Sequence, residues 1–207
     1  MRQRLCALLF ALAFCASAVA QDRNSTPRIV LSPAEIASLL KQGGYVLYFR
    51  HAATDFSQND TQSRGPRDCT RQRNLTDAGR ADARAIGTAI TSIDASFVRV
   101  VASPTCSTME TANLVFGRAE ASEDVRGGPI AAPSPERYEP LLRLMSTPLP
   151  EGQNLGIASH GNPFYALVGP PYLAEGELAL IKPGGAGFEV IARVRVGEWK
   201  AVQNAMK

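Results

Sequence analysis

Three apolar runs constrain this chain more than any other feature. "YVLYFRH" (45–51), "FVRVVASP" (97–104) and "NLGIASHGNP" (154–163) are short and close to continuously apolar. Strands covered on both faces read this way, as in a parallel sheet flanked by helices. Helical patterns separate them. "SPAEIASLLKQGG" precedes the first run, with Ser32 as N-cap, Pro33 at the first helical position and Gly43 or Gly44 as the stop. "LTDAGRADARAIGTAITSI" is an amphipathic helix with Thr76 as N-cap, and "TCSTMETANLVFG" a second with Gly117 as its stop. "ERYEPLLRLM" predicts a shorter helix, and "ELALIKPGGAGFEVIARVRV" two adjacent strands around Pro-Gly-Gly. This alternation predicts an α/β fold, a three-layer α/β/α sandwich with a mostly parallel sheet, in one domain over residues 32–207.

The first twenty residues stand apart. "MRQRLCALLFALAFCASAVAQ" has a basic start, an apolar run of secretory length and Ala18-Val19-Ala20 before Gln21. This is a signal peptide pattern, too short for a transmembrane span. Residues 1–20 are therefore expected to be removed, with 21–31 a polar, flexible lead-in. The implied location is periplasmic, with no stable membrane association after cleavage. Without Arg2 and Arg4 the balance is 20 basic against 19 acidic residues, about +1. A near-neutral chain without blocks of like charge gives no reason to expect a nucleic-acid partner. Cys69 and Cys106 remain after cleavage, an even pair that predicts a disulfide in an exported protein. Two cysteines and two distant histidines show no metal-ligand spacing, and no metal or cofactor is expected.

His51 and His160 are the only histidines, and both end an apolar run. In open α/β sheets, ligands sit beyond the carboxyl ends of the strands. Two histidines at matched strand ends, one preceded by Arg50, suggest phosphoryl transfer through histidine. A neutral imidazole is a competent nucleophile near neutral pH. A guanidinium offers a planar fork of donors for the charge on the equatorial phosphoryl oxygens. There is no G-x-S-x-G elbow for a serine nucleophile. "AATDFSQNDTQSRGPRDCTRQRN" (52–74) is a long polar loop carrying Arg64, Arg67, Arg71 and Arg73, and loops of that length in compact domains are usually functional or disordered. "KPGGAG" lies between two strands and reads as a turn. Trp199 is expected to cover the edge of the core.

Four stretches together resemble the histidine phosphatase superfamily, the phosphoglycerate-mutase-like proteins. "FRHAAT" resembles the R-H-G-x-T motif, with Ala52 in place of Gly. "RNLTDAGRADARAIG" resembles the L-T-x-x-G-x-x-Q-A helix, "VASPTCSTMETA" the S-P-x-x-R-A-x-x-T-A strand and helix, and "ASHGNP" the second-histidine motif. They span most of the mature chain and, with the leader, look like an exported bacterial member. The resemblance implies hydrolysis of a phosphomonoester through phosphorylated His51. Arg50, His160 and Thr54 would hold the phosphoryl group, and Cys69 and Cys106 would lie near the site mouth. The substrate implied is a small-molecule phosphate ester or a phosphorylated glycan; oligomeric state is left open.

The sequence departs from the family pattern at one charged position. Counting from Ser103, the place of the second phosphate-binding arginine is Ser107. A loop arginine could stand in for the lost charge, or the chain could bind phosphorylated ligands as a weakened pseudoenzyme. The leaving oxygen also needs a proton donor. Glu177, at the start of a strand after His160, is the expected acid, with Glu175 the near alternative and Glu110, Glu136 and Glu139 further ones.

Overall fold

The computed structural model describes residues 31–66, 68–128 and 135–205. The leader, most of the lead-in and Arg67 lie outside the described residues. Six strands form one sheet: β1 (Val46–Arg50), β2 (Phe97–Ala102), β3 (Glu120–Ala121), β4 (Asn154–Ser159), β5 (Leu178–Pro183) and β6 (Phe188–Val194). Their order is β3-β2-β4-β1-β5-β6. β3, β2, β4 and β1 are parallel; β5 pairs antiparallel with β1, and β6 with β5 around the Pro-Gly-Gly turn.

Alternation along β1 explains the layers. Leu47 and Phe49 join one cluster with Ile36 and Leu40 of α1 (Pro33–Gln42), Ile86 and Ile90 of α2 (Asp77–Ile93), and Trp199 and Val202 of α6 (Trp199–Asn204). Val46 and Tyr48 point the other way, into a cluster with Leu141 and Met145 of α4 (Glu139–Ser146) and Phe164 of α5 (Gly161–Val168). Successive strand residues face opposite sides, so a strand buried on both must be apolar throughout. The expected three-layer sandwich is present. Trp199 is buried and stacks on Phe49, ring centroids 5.9 Å apart.

The helix boundaries follow their caps. Ser32 and Glu35 form a capping box at α1: Ser32 N donates to Glu35 Oε2 at 2.7 Å, and Glu35 N to Ser32 Oγ at 3.3 Å. Gly117 ends α3 (Cys106–Phe116) in the left-handed region. "HGNP", the end of the third run, opens α5 directly after β4.

The topology places the two histidines. β1 and β4 are adjacent and parallel, with Arg50 in register with Ser159. His51 and His160 thus leave the sheet side by side. The chain after β1 leads to α2 on one face, and the chain after β4 leads to α5 on the other. A crevice opens where neighbouring connections diverge, which is the favoured ligand position of such sheets.

Candidate active site

The two imidazoles lie 5.5 Å apart between ring centroids, inclined at 71°. His51 is buried, and its backbone N–H donates to Ser159 O at 3.0 Å. Its Nδ1 is 3.0 Å from Ala52 O. A carbonyl only accepts, so Nδ1 carries the hydrogen and the neutral ring keeps its free lone pair on Nε2. His160 Nε2 pairs with the hydroxyl of buried Ser103 at 2.9 Å, and its carbonyl accepts from Tyr48 OH at 2.7 Å. Gly127 lies flat on the His160 ring: a Cβ there would come within 2.7 Å of Cδ2.

The turn after His51 is clasped by two helices. Ala52 N donates to Thr111 Oγ1 of α3 at 3.0 Å, and Thr76 N, capping α2, to Ala53 O at 2.9 Å. Gly79 in the first turn of α2 admits this approach, because a Cβ there would stand 2.3 Å from Ala53 O. The glycine of "LTDAG" thus serves close packing on the histidine turn.

Arg50 bridges the crevice. Its Nη1 donates to Leu173 O at 2.8 Å, its Nη2 lies 3.5 Å from Glu175 Oε1, and its Cζ sits 5.3 Å from the Tyr172 ring centroid. Its buried Nε has no hydrogen-bond partner among the described residues. Thr54, buried and bridged to Leu75, donates its hydroxyl to Glu175 Oε1 at 2.7 Å.

The two neighbouring candidate carboxylates have different partners. Glu177, expected as the proton donor, is buried and fully engaged. Arg193 Nε and Nη2 each reach one of its oxygens at 2.9 Å, and Ala174 N donates to Oε2 at 2.7 Å. It acts as a structural anchor between β5 and β6. Glu175 is the carboxylate turned to the histidines, with Oε1 3.8 Å from His51 Nδ1. Gly176 separates the two, at φ +74°, with its N–H on His51 O at 2.9 Å. That left-handed turn sends the neighbouring side chains to different partners. Glu110 is likewise committed, to Arg80 at 2.7 Å. Glu177→Gln is expected to cost about 3 kcal/mol of stability by stranding Arg193, read as a lowered urea midpoint. A midpoint unchanged from the parent chain would contradict the anchor.

Ser107 is buried in the first turn of α3, and its carbonyl accepts from Thr111 Oγ1 at 2.7 Å. Charge reaches the histidines from elsewhere. Burial is the main cause holding both imidazoles below their ordinary pKa. For His51, Arg50 and Arg73 add to it, against the Ala52 carbonyl and Glu175. His160 is pushed down to about 3, by burial and then by His51, Arg50, Arg73 and Arg126. Among the described loop arginines, Arg73 is the one whose charge acts on both rings. Arg71 lies 3.9 Å from Asp68, and Arg64 N donates to that same Asp68. Arg126 was not singled out in the sequence; its only signal there is the "RGGP" stretch.

These shifts set a pH dependence. Both imidazoles are held below the unfolded value near 6.5, so below about pH 6.5 the unfolded chain binds more protons, for His160 down to about pH 3. Stability is therefore full above the unfolded pKa and lost as pH falls, by up to about 1.4 kcal/mol per pH unit for each histidine. Urea midpoints from pH 7 to 4 measure this slope. His160→Ala should flatten it, and an unchanged slope would count against a neutral buried imidazole.

No family model and no curated protein matches the chain. Among solved structures, it is similar to a phosphohistidine phosphatase SixA described as putative, from Agrobacterium tumefaciens, with a TM-score of 0.50 and 16% identity over 73% of this chain and 98% of the other. Bacillus stearothermophilus YhfR matches with a TM-score of 0.51 and 18% identity, over 70% and 94%. The phosphoserine phosphatase of Entamoeba histolytica, solved with 3-phosphoglyceric acid, matches with a TM-score of 0.53 and 13% identity, over 73% and 96%. These neighbours are histidine phosphatase superfamily members. With its mixed six-stranded sheet flanked on both faces by helices, the chain has a phosphoglycerate-mutase-like fold.

Proposed function

We propose that this chain is an exported phosphomonoester hydrolase of the histidine phosphatase superfamily, working through a phosphohistidine at His51. One observation carries the reading: His51 holds its Nδ1 hydrogen on Ala52 O, which leaves the Nε2 lone pair free in a ring that lies beside His160. In the first step Nε2 attacks phosphorus and the ester P–O bond breaks. Arg50 and His160 stabilise the equatorial oxygens. Arg73 supplies the charge that Ser107 lacks. Glu175 is the general acid that passes a proton to the leaving oxygen. In the second step Glu175 takes a proton from water, the hydroxide attacks phosphorus, and phosphate leaves neutral His51 behind. The leader pattern and the Cys69–Cys106 disulfide support an oxidising, periplasmic compartment. A small phosphate ester or a phosphorylated glycan is the substrate class in view.

The role of Glu175 is tested with two leaving groups. Glu175→Gln is expected to lower kcat on an alkyl phosphate by about 10²-fold or more, and to change p-nitrophenyl phosphate, whose leaving oxygen needs no proton, far less. An equal loss on both would make Glu175 a positioning residue for Arg50 and Thr54. Ser107 motivates the second reading, a pseudoenzyme that binds phosphorylated ligands without turnover. Steady release of nitrophenol by the purified chain decides for the enzyme; ligand binding without release decides for the pseudoenzyme.

A further inference from the structure

The polar loop 52–74 is held at one point more firmly than its length requires. Cys69, in the 3-10 turn Cys69–Arg71, is bonded to Cys106, the first residue of α3. Gln72 is buried and uses its whole amide: Nε2 donates to Gly65 O at 2.9 Å and to Pro66 O at 3.0 Å, while Oε1 accepts from Cys106 N at 3.0 Å. That last N–H belongs to the first turn of α3, where amides lack intrahelical partners. Asn74, two residues on, donates to Cys69 O and Gln72 O, both at 2.8 Å.

Arg73 lies between these two residues. Its N–H donates to Asp60 Oδ1 at 2.6 Å, and its guanidinium sits 4.7 Å from the Phe56 ring centroid. The following residues join the site directly, since Asp55 N donates to Asn74 O at 2.9 Å and Leu75 bridges Thr54. The disulfide reaches α3 at Cys106, immediately before Ser107. The loop that carries Arg73 is thus fastened beside the position whose charge is missing.

We propose that Gln72 and the Cys69–Cys106 disulfide are positioning elements that hold Arg73 at the phosphoryl pocket in place of an arginine at 107, so that reduction of the disulfide weakens phosphate binding. The inference rests on the reading of the His51–His160 crevice as that pocket. The redox step is an ordinary exchange. A dithiol gives two electrons and two protons to the Sγ–Sγ bond, leaving two thiols here and a disulfide on the reductant. Freed at Cys69, the loop is tied to the start of α3 through the Gln72 amide, and Arg73 samples positions away from the histidines.

Inorganic phosphate binding, followed by calorimetry on the full chain, tests this. In the parent chain, reduction with dithiothreitol should weaken binding about tenfold, the scale of one charge-assisted contact. In Arg73→Ala, binding should already be weak and should change less than twofold on reduction. Equal weakening in both proteins, or none in the parent chain, would overturn the clamp. Failure of the oxidised parent chain to bind phosphate at all would overturn the pocket reading itself. Where reduction unfolds the chain, Gln72→Ala with and without Arg73→Ala gives the same comparison with the disulfide intact. Additive losses there would overturn the coupling.

Discussion

His51→Ala is expected to lower the hydrolysis of an aryl phosphate by on the order of 10⁴-fold or more, the scale seen when a nucleophile is removed. No second side chain can replace it in the same geometry. His160 keeps its Nε2 paired with Ser103 Oγ at 2.9 Å, so that nitrogen is not free to attack. The fold should survive the change. His51 is held chiefly through its backbone, with N–H on Ser159 O and carbonyl on Gly176 N, and alanine keeps both bonds. Removing a buried imidazole also removes the need to keep it neutral, so some stability is expected to return at low pH. Steady-state rates together with a urea midpoint separate the two effects. A variant that stays folded and still turns over at more than about a hundredth of the parent rate would remove His51 from the chemistry.

Arg50→Ala carries the second large effect. Arg50 is half-buried at the carboxyl end of β1, with one donor on Leu173 O, one near Glu175 and one unpartnered. Its charge is the most central in the crevice, acting on both histidines. Loss of a preorganised donor at a developing charge typically costs about 10² to 10³ in kcat. The same change should weaken inorganic phosphate as a competitive inhibitor, because the bound dianion uses the same donors. Lysine should restore only part of this, since a point charge cannot reproduce a planar fork. If Arg50→Ala altered kcat but left phosphate inhibition unchanged, Arg50 would be acting through Glu175 instead of on the phosphoryl group.

Much of this site was legible because its elements are local. A buried strand ending in Arg50-His51 and another ending in His160 are written in the apolar pattern, and the capping residues Ser32 and Thr76 mark their helices correctly. The pairing of β1 with β4 was not legible, because no local pattern says which parallel strands are neighbours. The different settings of Glu175 and Glu177 were not legible for a similar reason. Two carboxylates two residues apart should share a face of a strand, but Gly176 turns the backbone between them and Arg193, from the distant strand β6, claims Glu177. The helix α5 was hidden by its opening Gly-Asn-Pro, which reads as a turn although glycine and proline suit a helix start. Arg73 was one of four equivalent arginines in a polar loop. What distinguishes it is the ring of contacts around Gln72 and Asn74, which exist only once the loop is closed on α3.

The covalent intermediate tests the account most directly. The chain is mixed with a ³²P-labelled phosphate ester for a short time, denatured in alkali and digested, and the label is mapped. The account predicts one labelled peptide containing His51, stable in alkali and lost in acid, and no label in His51→Ala. Label on His160, label on a hydroxyl residue, or turnover with no trapped phosphoenzyme under conditions where product forms in a burst, would contradict it.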